Sequence, residues 1–203
     1  PLGAARFLQI ATDLVDALIY AHDQTPPLVH GALGPSSVLV DEFDAVRVAD
    51  FGLAADPRDV DLLEPRGREF QYRAPEVCMG EFPSPRSDLY SLGALFYAMA
   101  GGRPPLAGSE LVLLFEQVNR SFSAQPLAAL DQEVPGLAKI TLDCLQKDPA
   151  DRPKSAREVA ARLELAFSGA TRRQSEDDAP GLFRRLAATW FGRTGGQRGR
   201  RDA

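Results

Sequence analysis

Cysteine, histidine and tryptophan are scarce in this chain of 203 residues, with two, two and one copies respectively. Cys78 and Cys144 stand far apart with no CxxC or Cys/His spacing, which argues against a zinc site and against a disulfide framework. A reducing cytoplasm is the simplest setting. The apolar uncharged stretch Leu89 to Gly102 falls short of the roughly 20 apolar residues that a bilayer demands, so no membrane span is expected. Pro1 to Arg6 offer neither the charged start nor the apolar centre of a signal peptide. Pro1 in the place of an initiator Met reads as the start of a segment cut from something longer. No internal repeat is visible, which sets solenoids aside.

What is present suits a folded domain. Hydrophobic residues make 44% and charged residues 25% of the chain, close to globular averages, so wholesale disorder is excluded. The length fits one domain with a remainder. The charge is uneven: residues 1–170 hold 15 basic and 24 acidic side chains, net -9, whereas residues 171–203 hold 8 basic and 4 acidic, net +4. The acidic part is unsuited to a nucleic-acid backbone, while the basic end suits an anionic surface.

Apolar residues recur at Phe7, Ala11, Leu14, Val15, Leu18 and Ile19, the spacing of a helix over Ala5 to His22 with one buried face. Thr25-Pro26-Pro27 ends it, because proline lacks a donor and restricts its predecessor. Val38-Leu39-Val40 and Val46-Arg47-Val48 then predict a β-hairpin turning at Asp41 to Ala45. Residues 54–71 show little periodicity and form a long loop, a feature usually functional in a compact domain. Asp88 to Ala100 is apolar nearly all round, which predicts a central buried helix stopped by Gly101-Gly102-Arg103-Pro104-Pro105. Glu110 to Asn119 and Gly136 to Gln146 read as further amphipathic helices, and Ser155 to Glu158 as a capping box opening a last one through about Phe167. The expected class is mainly α with a small β-hairpin, α+β.

The punctuation between these elements resembles a known family. His30-Gly31-Ala32-Leu33-Gly34-Pro35-Ser36-Ser37 is similar to a protein-kinase catalytic loop. Asp50-Phe51-Gly52, Ala74-Pro75-Glu76, Ser87-Asp88-Leu89-Tyr90-Ser91-Leu92-Gly93 and Asp148 to Pro153 follow in the family's order. Gly101 to Pro105 adds the look of bacterial serine/threonine kinases. The resemblance covers residues 1–168 and implies the large C-terminal lobe, with no N-terminal lobe, glycine-rich loop or strand lysine in this chain.

In that family the loop supplies an Asp that accepts the substrate's proton, a Lys that steadies the phosphoryl group and an Asn that holds a second Mg²⁺. Ala32, Gly34 and Ser37 stand at those positions, so no catalytic residue is expected. General-base assistance alone is commonly worth about 10²- to 10⁴-fold, roughly 3 to 5 kcal/mol of barrier. Gly31 replaces the Arg that grips a phosphorylated activation loop, residues 53–71 contain no Ser, Thr or Tyr, and Glu69 occupies the place of a substrate-fixing threonine. The resemblance thus implies a pseudokinase that acts as a signalling scaffold or regulator through protein partners; the alternatives are a kinase of weak transfer in the full-length parent and, second, a membrane- or partner-recruiting module through the basic tail.

The same resemblance implies structural roles for His30, Phe51, Gly52, Glu76, Asp88 and Arg152. It implies a metal-binding carboxylate at Asp50 and an adenine floor at Leu39. Both serve only with a small lobe present, so ATP and Mg²⁺ belong to a full-length parent and no cofactor is expected in this chain. His22 reads as a solvated helix end, and Tyr72 and Cys78 as structural or exposed residues without a role. Beyond residue 168, a linker and basic tail run to 203. In it Leu182, Phe183, Leu186, Trp190 and Phe191 share a helical stripe over 181–192 flanked by Arg184, Arg185 and Arg193. Such a segment suits an anionic membrane through 181–201 or a partner's groove, and the plainer expectations are docking on the acidic lobe or disorder in solution. The expected setting is cytoplasmic, peripheral to a membrane if the tail binds one.

Overall fold

A computed structural model describes residues 1–42, 45–52, 70–108 and 110–176. The long loop with Glu69, and the tail with its expected helix at 181–192, lie outside the described residues.

Helix α1 spans Ala4–His22 and buries Phe7, Ala11, Leu14, Val15 and Leu18 of the expected stripe, with Leu8 added and Ile19 half-buried. Strands β1 (Val38–Val40) and β2 (Val46–Val48) pair antiparallel with Leu39 opposite Arg47. Asp41 closes the turn by accepting the Ala45 N–H at 2.9 Å through its side chain, the local bond that suits Asp to turns. Helix α2 is the single turn Pro75–Cys78.

Helix α3, Pro85–Gly101, is the central post. Its start lies three residues before the apolar run. There Ser84 and Ser87 exchange side-chain bonds to each other's backbone N–H at 3.2 and 2.9 Å, with Pro85 at the first helical position. Leu89, Tyr90, Leu92 and Phe96 have no exposed surface, and each such side chain is worth about 1.5 to 3 kcal/mol of gross burial. Gly102, at φ 71°, ends the helix in the left-handed conformation that a Cβ disfavours.

Helices α4 (Glu110–Asn119), α5 (Ala128–Glu133) and α6 (Leu137–Cys144) follow, the last shorter than the expected Gly136 to Gln146. Gly93 of α3 lies so close to α6 that an added Cβ would come within 2.6 Å of the Cys144 Cβ. Helix α7 packs along α1 and α6 and spans Ala156–Glu176. It runs nine residues past Phe167, into the polar stretch read as a linker. Ser168 to Glu176 contains no proline, and its Ala170, Arg172, Arg173, Gln174 and Glu176 are residues that continue a helix whether or not one face is apolar. Among the described residues no helix is long and apolar enough to cross a membrane.

Candidate functional site

The carboxylate of Asp88, buried in α3, organises the loop after α1. It accepts the His30 N–H at 2.8 Å, the Gly31 N–H at 2.9 Å and a bond from His22 Nε2 at 2.9 Å. An ionised acceptor strengthens all three. Two of these donors are backbone groups, so Asp88 fixes the loop's path whatever side chains the loop carries. The His22 contact corrects the reading of a solvated helix end: the side chain is 10% exposed and pairs with Asp88. Its partner is 66 residues away in sequence, too far for a pattern along one helix to reveal.

His30 is turned into the core, 1% exposed. Its Nδ1 accepts the Ala32 N–H at 3.4 Å, while its buried Nε2 has no hydrogen-bond partner among the described residues. Burial holds its pKa below the ordinary histidine value, outweighing the opposing pull of Asp88. Its ring packs on Phe51 with centroids 4.7 Å apart. Phe51 is held there by two neighbours in the left-handed region, Asp50 at φ 64° and Gly52 at φ 75°. For glycine this costs nothing special; for Asp50 it is a strained conformation, though an aspartate bears it better than most residues.

Ala32, half-buried beside this loop, presents only a methyl group. The imidazole nearest in the chain, His30, faces inward. Pro35–Ser37 form one 3-10 turn, and the Ser37 hydroxyl, 1% exposed, closes on the Gly34 backbone. It donates to the Gly34 carbonyl at 2.9 Å and accepts the Gly34 N–H at 3.2 Å. Its proton and a lone pair are therefore used within the turn. Leu39 on β1 is 56% exposed, an apolar surface free to carry a flat ring. Among the described residues no group of three or more His, Cys, Asp or Glu could hold a metal. Asp50 keeps a carboxylate suited to Mg²⁺, but its companion position is a serine closed on its own backbone, and the donor set does not fit a two-metal nucleotide site.

Below the loop, α2 is bolted to the segment before α7. Arg152 donates to both carboxylate oxygens of Glu76, at 2.6 and 2.7 Å. A second anchor was not foreseen: Gln117 of α4, fully buried, accepts the Tyr90 hydroxyl at 2.5 Å and donates to the carbonyls of Phe70 and Arg73 at 3.1 and 2.8 Å. The sequence held one hint, a glutamine four residues after the buried Leu113 on the inner face of an amphipathic helix. Tyr72 is buried in the core. Burial pushes the Cys78 thiol up to about 12, so at neutral pH it is a protonated, unreactive thiol. Between α2 and α3, Met79 and Phe82 are 59% and 63% exposed, two large apolar side chains on one loop beside the α2–α4 contact.

The whole arrangement matches known proteins. Residues 2–162 match the family model of the protein kinase domain. The serine/threonine-protein kinase PknB of Mycolicibacterium smegmatis is 30% identical over 173 residues, which is 83% of this chain and 27% of that protein. The probable serine/threonine-protein kinase PknB of Bifidobacterium longum is 33% identical over 169 residues, 79% of this chain and 24% of that protein. A crystal structure of Rad53 1-466 in complex with AMP-PNP superposes with a TM-score of 0.62 at 26% identity, covering 79% of this chain and 40% of that one. The chain spans about a quarter of the length of the curated relatives it matches. With the loop, the Asp-Phe-Gly turn and the Glu76–Arg152 bolt in kinase order, the chain belongs to the protein kinase domain family.

Proposed function

We propose that this kinase-family domain no longer transfers phosphate and acts by binding protein partners. One observation carries the reading: the loop is held in place by Asp88 through the His30 and Gly31 N–H groups, yet the acceptor position within it is the methyl group of Ala32. A scaffold maintained around a missing proton acceptor is the pattern expected when shape is used and transfer is not. Gly34 removes a positive charge from where negative charge gathers in the transition state, and Ser37 is closed on Gly34. The partner surface in this reading is the side bearing Met79, Phe82 and α4. Such a domain serves as a signalling scaffold or regulator.

The test has two parts. Incubating the full-length protein with ATP, Mg²⁺ and generic protein substrates yields no incorporation above a no-enzyme control, and a pull-down with the domain recovers a partner that a Met79→Glu/Phe82→Glu variant loses. Incorporation above control, or partner capture indifferent to those charges, contradicts the reading.

A second reading keeps nucleotide: Asp50 retains its carboxylate, Leu39 its exposed apolar surface, and the relatives bear kinase names. In that reading the full-length protein binds ATP·Mg²⁺ with weak transfer. A thermal-shift titration with ATP and Mg²⁺ separates the two, since binding raises Tm and Asp50→Ala removes the rise.

A further inference from the structure

Lys147 follows α6 and is one of three lysines in the chain. Its Nζ is buried and has no hydrogen-bond partner among the described residues. It sits 4.2 Å from the centroid of the Phe122 ring and 5.7 Å from that of Tyr90. The surrounding charged groups do not answer it. Arg152, stacked on the same Tyr90 ring at 5.0 Å, repels it and already holds Glu76. Glu116 of α4 is bonded to Arg120 at 2.6 Å, and the Cys78 thiol stays protonated. Ring faces attract a cation, but nothing among the described residues offers Nζ the lone pairs that an ammonium loses on leaving water.

The other two lysines are unlike it. Lys139 is 77% exposed and bonded to Asp143 at 2.9 Å, and Lys154 is exposed.

We propose that Lys147 is a nucleophilic modification site, an amine that takes an acyl group from small acyl phosphates. The Nζ lone pair attacks the acyl carbonyl carbon and an N–C bond forms. The C–O bond to phosphate breaks, the phosphate leaves with the bonding pair, and Nζ gives up a proton to solvent. No oxidant or reductant is needed. Burial, with Arg152 next, pulls the proton affinity of Lys147 down to about 8. About a tenth of it is therefore neutral at pH 7, against under a thousandth for an ordinary lysine. The ring over Nζ belongs to Phe122, which is only half-buried on the non-helical stretch that links α4 to the next turn, so the reaction requires that ring to turn aside. The amide product carries no charge, so the cation–ring contacts of Lys147 with Phe122 and Tyr90 are lost. The site does not depend on whether the domain transfers phosphate.

The chain is incubated with acetyl phosphate from pH 6.5 to 9.5 and acetylation at the three lysines is followed by site-resolved mass spectrometry. At pH 7 the more than hundredfold larger neutral fraction, cut back by the lower nucleophilicity of a weaker base, makes Lys147 react about tenfold faster than Lys139 or Lys154. Its rate levels above about pH 8 while theirs keep climbing, and the advantage disappears in 8 M urea. A Lys147 rate no greater than theirs, a pH profile parallel to theirs, or an advantage that survives unfolding overturns the proposal.

Discussion

Arg152 and Glu76 meet through two parallel N–H to carboxylate bonds, and the three remaining N–H groups of Arg152 donate to the carbonyls of Arg86, Gln146 and Lys147. Every donor of the guanidinium is therefore satisfied, at a position 3% exposed. Removing one partner leaves a buried, unpaired charge, which typically costs about 3 to 5 kcal/mol. Arg152→Met should lower stability by that amount in urea unfolding. Glu76→Gln/Arg152→Met together should cost clearly less than the two single changes added, the signature of a coupled pair in a double-mutant cycle.

Gly93 tests the packing of the central post. Its missing side chain lets α3 approach within contact of Cys144, Leu145 and the Thr141 carbonyl. Backbone cannot yield as a flexible side chain does, so Gly93→Ala, which favours helix elsewhere, should destabilise by about 1 to 3 kcal/mol. Equal or higher stability of the variant would show that α3 and α6 can part freely.

His30 gives the fold a pH dependence of known sign. Its folded-state pKa lies below the ordinary value, so on acidification the unfolded chain takes up its proton first, near about 6.5. Its contribution is complete above that pH and lost progressively as pH falls through the window between the two values. Thermal melts at pH 7.5 and 5.0 should show a smaller drop in Tm for His30→Leu than for the natural chain. Equal drops would mean that the buried imidazole does not resist protonation.

Restoring the proton acceptor alone should not revive transfer. Ala32→Asp returns a carboxylate, but Gly34 still supplies no cation and the Ser37 hydroxyl stays closed on Gly34. Residues that act as a unit fail as a unit. A phosphate-incorporation assay should therefore find Ala32→Asp at background.

The larger elements were legible because their signals are local. The stripe of α1, the two valine pairs of the hairpin and the all-round apolar α3 each show within a short window. The start of α3 was missed because Ser84-Pro85 lies outside the apolar run, although cap and first-turn proline were both in view. Helices α2 and α5 span 4 and 6 residues, too short for a period to show. Helix α7 reaches Glu176, beyond the last apolar periodic residue at Phe167, because plain propensity continues a helix that the periodicity no longer marks. At the site, motif order located the loop, but not what holds it: His22 on Asp88 and Gln117 on Tyr90 are pairings between distant segments that no spacing encodes.

The central claim is met most directly by phosphate transfer from radiolabelled ATP with Mg²⁺, measured on the full-length protein beside its Asp50→Ala variant. The account predicts incorporation at the no-enzyme background for both. Incorporation above background that Asp50→Ala abolishes would contradict it.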